Sequence, residues 1–117
     1  MSVFKPFKAY RPTAKHAKDV ASKPYDVLNS DEARDEADGN PLSFLHVVKP
    51  EIDLPSGTDP YSKEVYLKGK DNFIDLVTKG VFVQDNEPGY YVYRLTMDGR
   101  SHTGIVGCCF YEEYFND

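Results

Sequence analysis

The chain has 117 residues, the size of one modest domain. Its 14 Lys and Arg against 19 Asp and Glu leave a formal charge of -5, which argues against a duplex nucleic-acid binder, because such proteins need a basic stripe to neutralise phosphates. No apolar run approaches the roughly 20 residues of a membrane span, and "MSVFKPFKAYRP" lacks the apolar core of a signal peptide, so the cytoplasm is the expected location and no membrane partner is expected.

The early stretch "FKPFKAYRP" alternates and predicts a short strand, which Pro6 and Pro12 confine to an edge or an end. The one basic cluster, Lys5, Lys8, Arg11, Lys15, Lys18 and Lys23, reads as a solvated face or as the seat of a small anion. "TAKHAKDVAS" predicts one or two helical turns capped by Thr13. "KPYDVL" is predicted extended and then turning, since Lys23 precedes a proline.

"NSDEARDEADG" predicts a short helix with Asn29 as cap, Glu32 completing a capping box, and Gly39 as a left-handed stop. "PLSFLHVV" is apolar enough to predict a central strand. "KPEIDLPSGTDPY" is rich in Pro and Gly and is predicted to be a surface loop. A long helix, about residues 60–79, follows with Asp59 as cap and Pro60 at its first position. Val65, Tyr66, Phe73, Ile74, Leu76 and Val77 make its apolar stripe, and Gly69 marks a close approach. "VFVQ" predicts a short strand.

The strongest local signal is "YYVYRLTMDGRSHTGIVGCCFY". Two alternating runs flank Asp98-Gly99, the two-residue signature of a type I′ hairpin. The register pairs Met97 with Arg100, Leu95 with His102, Tyr93 with Gly104 and Tyr91 with Val106. Gly104 and Gly107 leave flat places for close approach. Cys108 and Cys109 are adjacent and predict strand packing rather than a disulfide or a zinc site. The resulting fold class is α+β: a mixed or antiparallel sheet with a C-terminal β-hairpin, one long helix packed on a face, and one or two short helices. The low mean hydropathy predicts a core that is thin or shared with a partner or a further segment. The exposed edge of the last strand would suit a homodimer.

Several polar residues have two readings. Asp26, after a Pro-Tyr turn, either caps that turn or supplies a carboxylate for proton abstraction or metal orientation. His46 in an apolar segment is either a satisfied core histidine or a general base. Asn40 and Ser43 either satisfy loop backbone or line a site. Arg94, mid-strand among hydroxyls, pairs with a local acid such as Glu112 or grips a carboxylate or phosphate as a fork. No Walker, Rossmann, nucleophile-elbow, His-Glu-x-x-His or Cys-x-x-Cys motif occurs, and no metal site is expected.

In order, the segments "PFKAYRPT", "KPYDVLNSDEA", "GNPLSFLHVVKPEIDLP", "DPYSKEVY" and "GVFVQDNEPGYYVYRLTMDGRSHTGIVGC" resemble the N-terminal part of the bacterial and archaeal domain-of-unknown-function family 1015. The similarity runs from about Phe4 to Cys108; Lys23 stands where a proline often precedes "PYDV". The resemblance implies a ParB-like fold, and some members look like ATP-dependent kinases of free L-serine that make O-phosphoserine. Family proteins are longer and continue into an Asp-Gly-His-His-Arg-like segment. Residues 1–117 are therefore expected to be a single domain, the N-terminal fragment of a longer protein and inactive alone. ATP and Mg2+ would be cofactors of the whole protein, and its partner a small-molecule substrate. On this reading Asp26 and His46 are the catalytic candidates and Tyr25, Asn40, Ser43 and Arg94 the substrate-binding ones. Asp26, Asn40, Ser43 and His46 would share one wall of a cleft, with Arg94 near it. The alternative is a non-catalytic module that binds a nucleotide or an amino acid.

Overall fold

A computed structural model describes residues 3–109. Strand β1 (Tyr10–Pro12) leads into α1 (Ala17–Val20), a 3-10 turn (Tyr25–Val27), α2 (Ser30–Ala37), α3 (Leu45–Val48) and a second 3-10 turn (Pro50–Asp53). Then come α4 (Lys63–Thr78), β2 (Phe82–Gln84), β3 (Tyr91–Met97) and β4 (Arg100–Val106). The strands form two sheets of two strands each, β1 with β2 and β3 with β4. The α+β class with a C-terminal hairpin, one long helix and short helices therefore holds. Among the described residues no helix is long and apolar enough to cross a membrane.

The chain divides into two compact units, one of which is Pro12–Val83. Helix α2 in that unit follows its local sequence. Asn29 Oδ1 accepts from the Glu32 N–H at 2.8 Å, and Glu32 Oε1 accepts from the Asn29 N–H at 2.9 Å, closing the predicted capping box. Gly39 then adopts φ +75°, a left-handed conformation that a Cβ would resist. At α1 the cap differs from expectation. His16 is the N-cap residue and makes no side-chain cap bond, while the Thr13 hydroxyl pairs with His16 Nδ1 at 2.8 Å.

The predicted central strand through "SFLHVV" is instead helix α3. Short apolar runs do not distinguish a strand from a buried helical turn. Here the backbone bonds close locally: the N–H groups of His46, Val47, Val48 and Lys49 reach the carbonyls of Ser43, Phe44, Phe44 and Leu45. The apolar run is continuous because the turn serves two cores. Phe44 and Val47 pack against Val20, Leu76, Val81 and Phe82. Leu45 joins Ala33, Ala37 and Ile52. Phe82 anchors the first core with ring centroids 5.7 Å from both Phe44 and Phe73.

The segment after α3 also departs from expectation. Pro50, Glu51 and Ile52 form a buried 3-10 turn rather than a surface loop. The side chain of Arg34 on α2 clasps this turn, its Nη2 donating to the Glu51 carbonyl at 3.2 Å and its Nε to the Ile52 carbonyl at 3.3 Å. Helix α4 lies against it. A Cβ on Gly69 would stand 3.0 Å from the Val47 carbonyl oxygen and 3.2 Å from Pro50 Cγ, which accounts for a glycine in mid-helix. The N-cap residue of helix α4 is Ser62, whose side chain makes no cap bond, and not Asp59; Asp59 Oδ1 instead accepts from the Tyr61 N–H at 3.0 Å in the preceding turn. Of its predicted stripe, Val65 and Leu76 are buried, whereas Tyr66 and Ile74 are exposed.

The other unit comprises, of the described residues, 3–11 and 84–109. Its hairpin has the predicted register at every pair from Tyr91–Val106 to Met97–Arg100, with φ of 52° at Asp98 and 78° at Gly99. Val92 and Ile105, paired on one face, are exposed, as are Tyr93 and Met97 on the other. The Phe4 ring occupies the space where a Cβ of Gly107 would fall, 2.5 Å from it, while Gly104 faces nothing within 4 Å. Cys108 and Cys109 are exposed thiols, a correction to the expected strand packing: β4 ends at Val106, and the backbone of Cys108 forms an isolated bridge with Lys5 that leaves its side chain exposed.

The base of this unit is tied by one polar cluster. Tyr91 donates its hydroxyl to Asp85 Oδ2 at 2.5 Å and accepts from the Ala9 N–H at 3.0 Å. Arg11 Nη2 donates to Asp85 Oδ1 at 3.0 Å, and its guanidinium lies 5.6 Å from the Tyr91 ring centroid. The Tyr91 hydroxyl, with Arg11, holds the Asp85 carboxyl below its usual range, and the same bond raises Tyr91. Because the Asp85 value is depressed on folding, its contribution is present above the ordinary carboxylate value of 3.8 and is lost as pH falls through the lower folded value. The Tyr91 contribution runs the other way, present below 10.0 and lost as pH rises through the higher folded value. The melting temperature of the wild type should therefore fall more steeply below pH 4 than that of Asp85→Asn; parallel acid limbs would rule the cluster out as a stabilising element.

Candidate functional site

Two cavities in the Pro12–Val83 unit divide Tyr25, Asp26, Asn40 and His46 between them, while Ser43 and Arg94 line neither. The smaller, about 380 Å³, is lined by His46 and Asn40 together with Arg34, Asp38 and Asp53. The larger, about 820 Å³, is lined by Tyr25 and Asp26 from the first 3-10 turn, Ser30 from α2, Lys49 and Glu51 around the second turn, and Tyr61, Tyr66 and Lys70 from α4 and its approach. Asp26 and His46 thus line different cavities and do not share the single cleft wall that the sequence suggested. The reason is the helical form of α3. On a helix, His46 turns away from Val47 and Val48, which face the larger cavity, and looks toward Asn40 and Asp53.

His46 is held at both ring nitrogens. Nδ1 stands 2.8 Å from Asp53 Oδ2 and 3.0 Å from Oδ1, and Nε2 stands 3.0 Å from the Asn40 carbonyl oxygen. Both partners are oxygens of the protein itself, so each ring nitrogen is directed at an internal partner and neither is aimed at a substrate. Asn72 of α4 completes the network, donating to the His46 carbonyl at 2.8 Å and to Asp53 Oδ2 at 3.0 Å. The cluster ties α3, the second 3-10 turn and α4 together.

Asn40 and Ser43 also build backbone. Asn40 Nδ2 donates to the Asp19 carbonyl at 2.8 Å, and its Oδ1 accepts from the Leu42 N–H at 3.2 Å. Ser43 is buried, and its Oγ accepts from the Leu45 N–H at 3.2 Å at the start of α3. Arg94 lies on β3, where its Nε donates to Thr103 Oγ1 across the hairpin at 3.3 Å. The acid suggested as its partner, Glu112, lies outside the described residues.

Asp26 behaves differently. The turn-capping reading requires its side chain to bond its own turn, yet the turn closes through the Val27 N–H on the Pro24 carbonyl at 3.3 Å. Among the described residues, the Asp26 carboxylate has no hydrogen bond or ion pair, and it is exposed beside Tyr25 at the larger cavity. Lys70, exposed and without an ion pair among the described residues, offers a second charge there.

Sequence reasoning missed Glu51. It is 5% exposed, yet it lines the larger cavity. Its Oε1 accepts from the Ser30 hydroxyl at 3.0 Å and lies 3.8 Å from Lys49 Nζ. Its signal was a lone carboxylate between Pro50 and Ile52, hidden by the assumption that a proline-rich segment lies on the surface. Taken together, the larger cavity has apolar walls from Val47, Pro50, Val65 and Phe73, an aromatic rim of three tyrosines, and charges of both signs. That composition suits a small polar molecule.

No curated protein and no solved structure matches the chain. A protein family does match, over residues 4–117. The order of motifs read from the sequence and this near-complete match agree: the chain belongs to the protein family of unknown function DUF1015.

Proposed function

We propose that the chain forms part of a ParB-like small-molecule kinase that transfers phosphate from ATP to the hydroxyl of free L-serine or a similar metabolite. The observation that supports this reading is the larger cavity, where the unpartnered Asp26 carboxylate and the Lys70 ammonium meet an aromatic rim. Phosphoryl transfer asks mainly for positioning and charge neutralisation. Among the described residues no group of three or more His, Cys, Asp and Glu could hold a metal. Mg2+ in kinases is commonly held by one or two carboxylates plus substrate phosphates, so Asp26 fits such a role. When bound, Mg2+ would neutralise charge on the phosphates; Lys70 would pair with a phosphate oxygen, and Asp26 would orient the metal or the acceptor hydroxyl.

A second reading is a non-catalytic module that binds a nucleotide or an amino acid. The engagement of both His46 nitrogens by oxygens of the protein supports it. Thermal-shift titration of the intact protein with ATP, Mg2+ and L-serine, followed by an assay for O-phosphoserine, separates the readings. The kinase reading expects a raised melting temperature and product. A shift without product supports the module, and no shift with any of the three overturns both.

A further inference from the structure

The hairpin β3–β4 is a two-stranded ribbon, and every residue of β4 from Arg100 to Val106 is exposed. Two strands alone are marginally stable in water, and a third strand or a covering layer is needed for independent stability. In a hairpin with a two-residue turn, Met97 and Arg100 close the turn as a hydrogen-bonded pair, and such pairs alternate along the ladder. The N–H and C=O groups of Ser101, Thr103 and Ile105 therefore point away from β3. They bond no other backbone group among the described residues. This is an open sheet edge, a template for pairing with another strand.

We propose that this edge pairs with the same edge of a second copy of the chain, antiparallel about a two-fold axis at Thr103. The register sets Thr103 opposite Thr103 of the other copy, Ser101 opposite Ile105, His102 opposite Gly104 and Arg100 opposite Val106. An open edge alone would accept any strand; self-complementarity is what selects a second copy. The outward groups of Ser101, Thr103 and Ile105 all gain partners in this register, because each of the three faces another of them. Gly104 supplies the space for its neighbour: a Cβ there would meet nothing within 4 Å, so the imidazole of the other copy's His102 can lie across it. Charge also agrees. No like charges face each other along β4, whereas a two-fold at the centre of the β3 edge would set Arg94 against Arg94. At the ends, Asp98, the one acid of the hairpin, comes toward Cys108 of the other copy, whose backbone is bonded to Lys5. The product is a four-stranded sheet, which removes the weakness of a lone ribbon. The dimer does not depend on what the larger cavity binds.

Sedimentation velocity of the intact protein should show a concentration-dependent dimer. Thr103→Lys sets two ammonium groups opposite each other and should weaken that dimer about threefold or more. Part of the loss should return in about 1 M NaCl, which screens the repulsion and would not repair a misfolded hairpin. Thr96→Lys, on the same face of the hairpin but one strand away from the edge, should leave the dimer unchanged. The register is read by cross-linking in chains whose own exposed thiols are removed by Cys108→Ser and Cys109→Ser. Thr103→Cys should then give a disulfide-linked dimer under mild oxidation, since facing Cα atoms of a hydrogen-bonded pair stand about 5.5 Å apart, within the span of a disulfide. Ser101→Cys faces Ile105 of the other copy and should not link. A monomer at every concentration overturns the proposal. So does a dimer indifferent to Thr103→Lys, equal weakening by Thr96→Lys, or linking by Ser101→Cys as readily as by Thr103→Cys.

Discussion

Replacing Asp26 with alanine is expected to lower the rate of O-phosphoserine formation by the intact protein by about 10²- to 10⁴-fold, the range typical of removing a positioned acid–base or orienting group. The argument starts from what the side chain does not do. Among the described residues it caps no helix and bonds no backbone in its own turn. Its removal should therefore leave the melting temperature nearly unchanged, since exposed substitutions away from caps and cores usually shift stability by under about 0.5 kcal/mol. The two measurements together are decisive. A large loss of rate at constant stability assigns Asp26 to the chemistry. Unchanged turnover removes it from the catalytic set, and a parallel loss of stability would mean that the turn depends on it after all.

What could be read in advance depended on where each constraint acts. Helix α2 was legible because its determinants, Asn29, Glu32 and Gly39, lie within eleven residues and act through backbone bonds nearby. The hairpin was legible for the same reason: Asp98-Gly99 fixes the turn, and a two-residue turn fixes every pair after it. Helix α3 was not legible. The run from Phe44 to Val48 is apolar on several sides, and only the presence of two cores, one beside Leu45 and one beside Phe44 and Val47, explains that pattern. A strand buried on both faces would have looked identical.

That one misreading propagated into the site. As a strand residue, His46 was free to stand near Asp26; as a helix residue, it turns to Asp53 and Asn40. The buried Pro50–Asp53 turn was misread through its prolines, and Glu51 was lost with it. Gly69 was the compensating clue. A glycine in mid-helix asks what lies against it, and the answer, Val47 and Pro50, is the packing that buries the turn and shapes the larger cavity.

The same packing makes Leu45→Ala the most damaging core substitution expected. Leu45 is 2% exposed and sits where α2, α3 and the second 3-10 turn converge, against Ala33, Ala37 and Ile52. Two of those neighbours are alanines, whose small side chains cannot swing in to refill the volume, and Ile52 is held by the Arg34 bond to its own carbonyl. The hole should therefore stay largely open, and the expected cost is about 2–5 kcal/mol, measured as a lower urea midpoint at unchanged slope. Because Leu45 also sets the direction of its neighbour His46, the substitution should loosen the His46–Asp53 contact, visible as a shift of the imidazole resonances in NMR spectra. A cost below about 1 kcal/mol with those resonances unmoved would show that the α2–α3 junction closes around the gap, and that the two cavities are not held apart by this side chain.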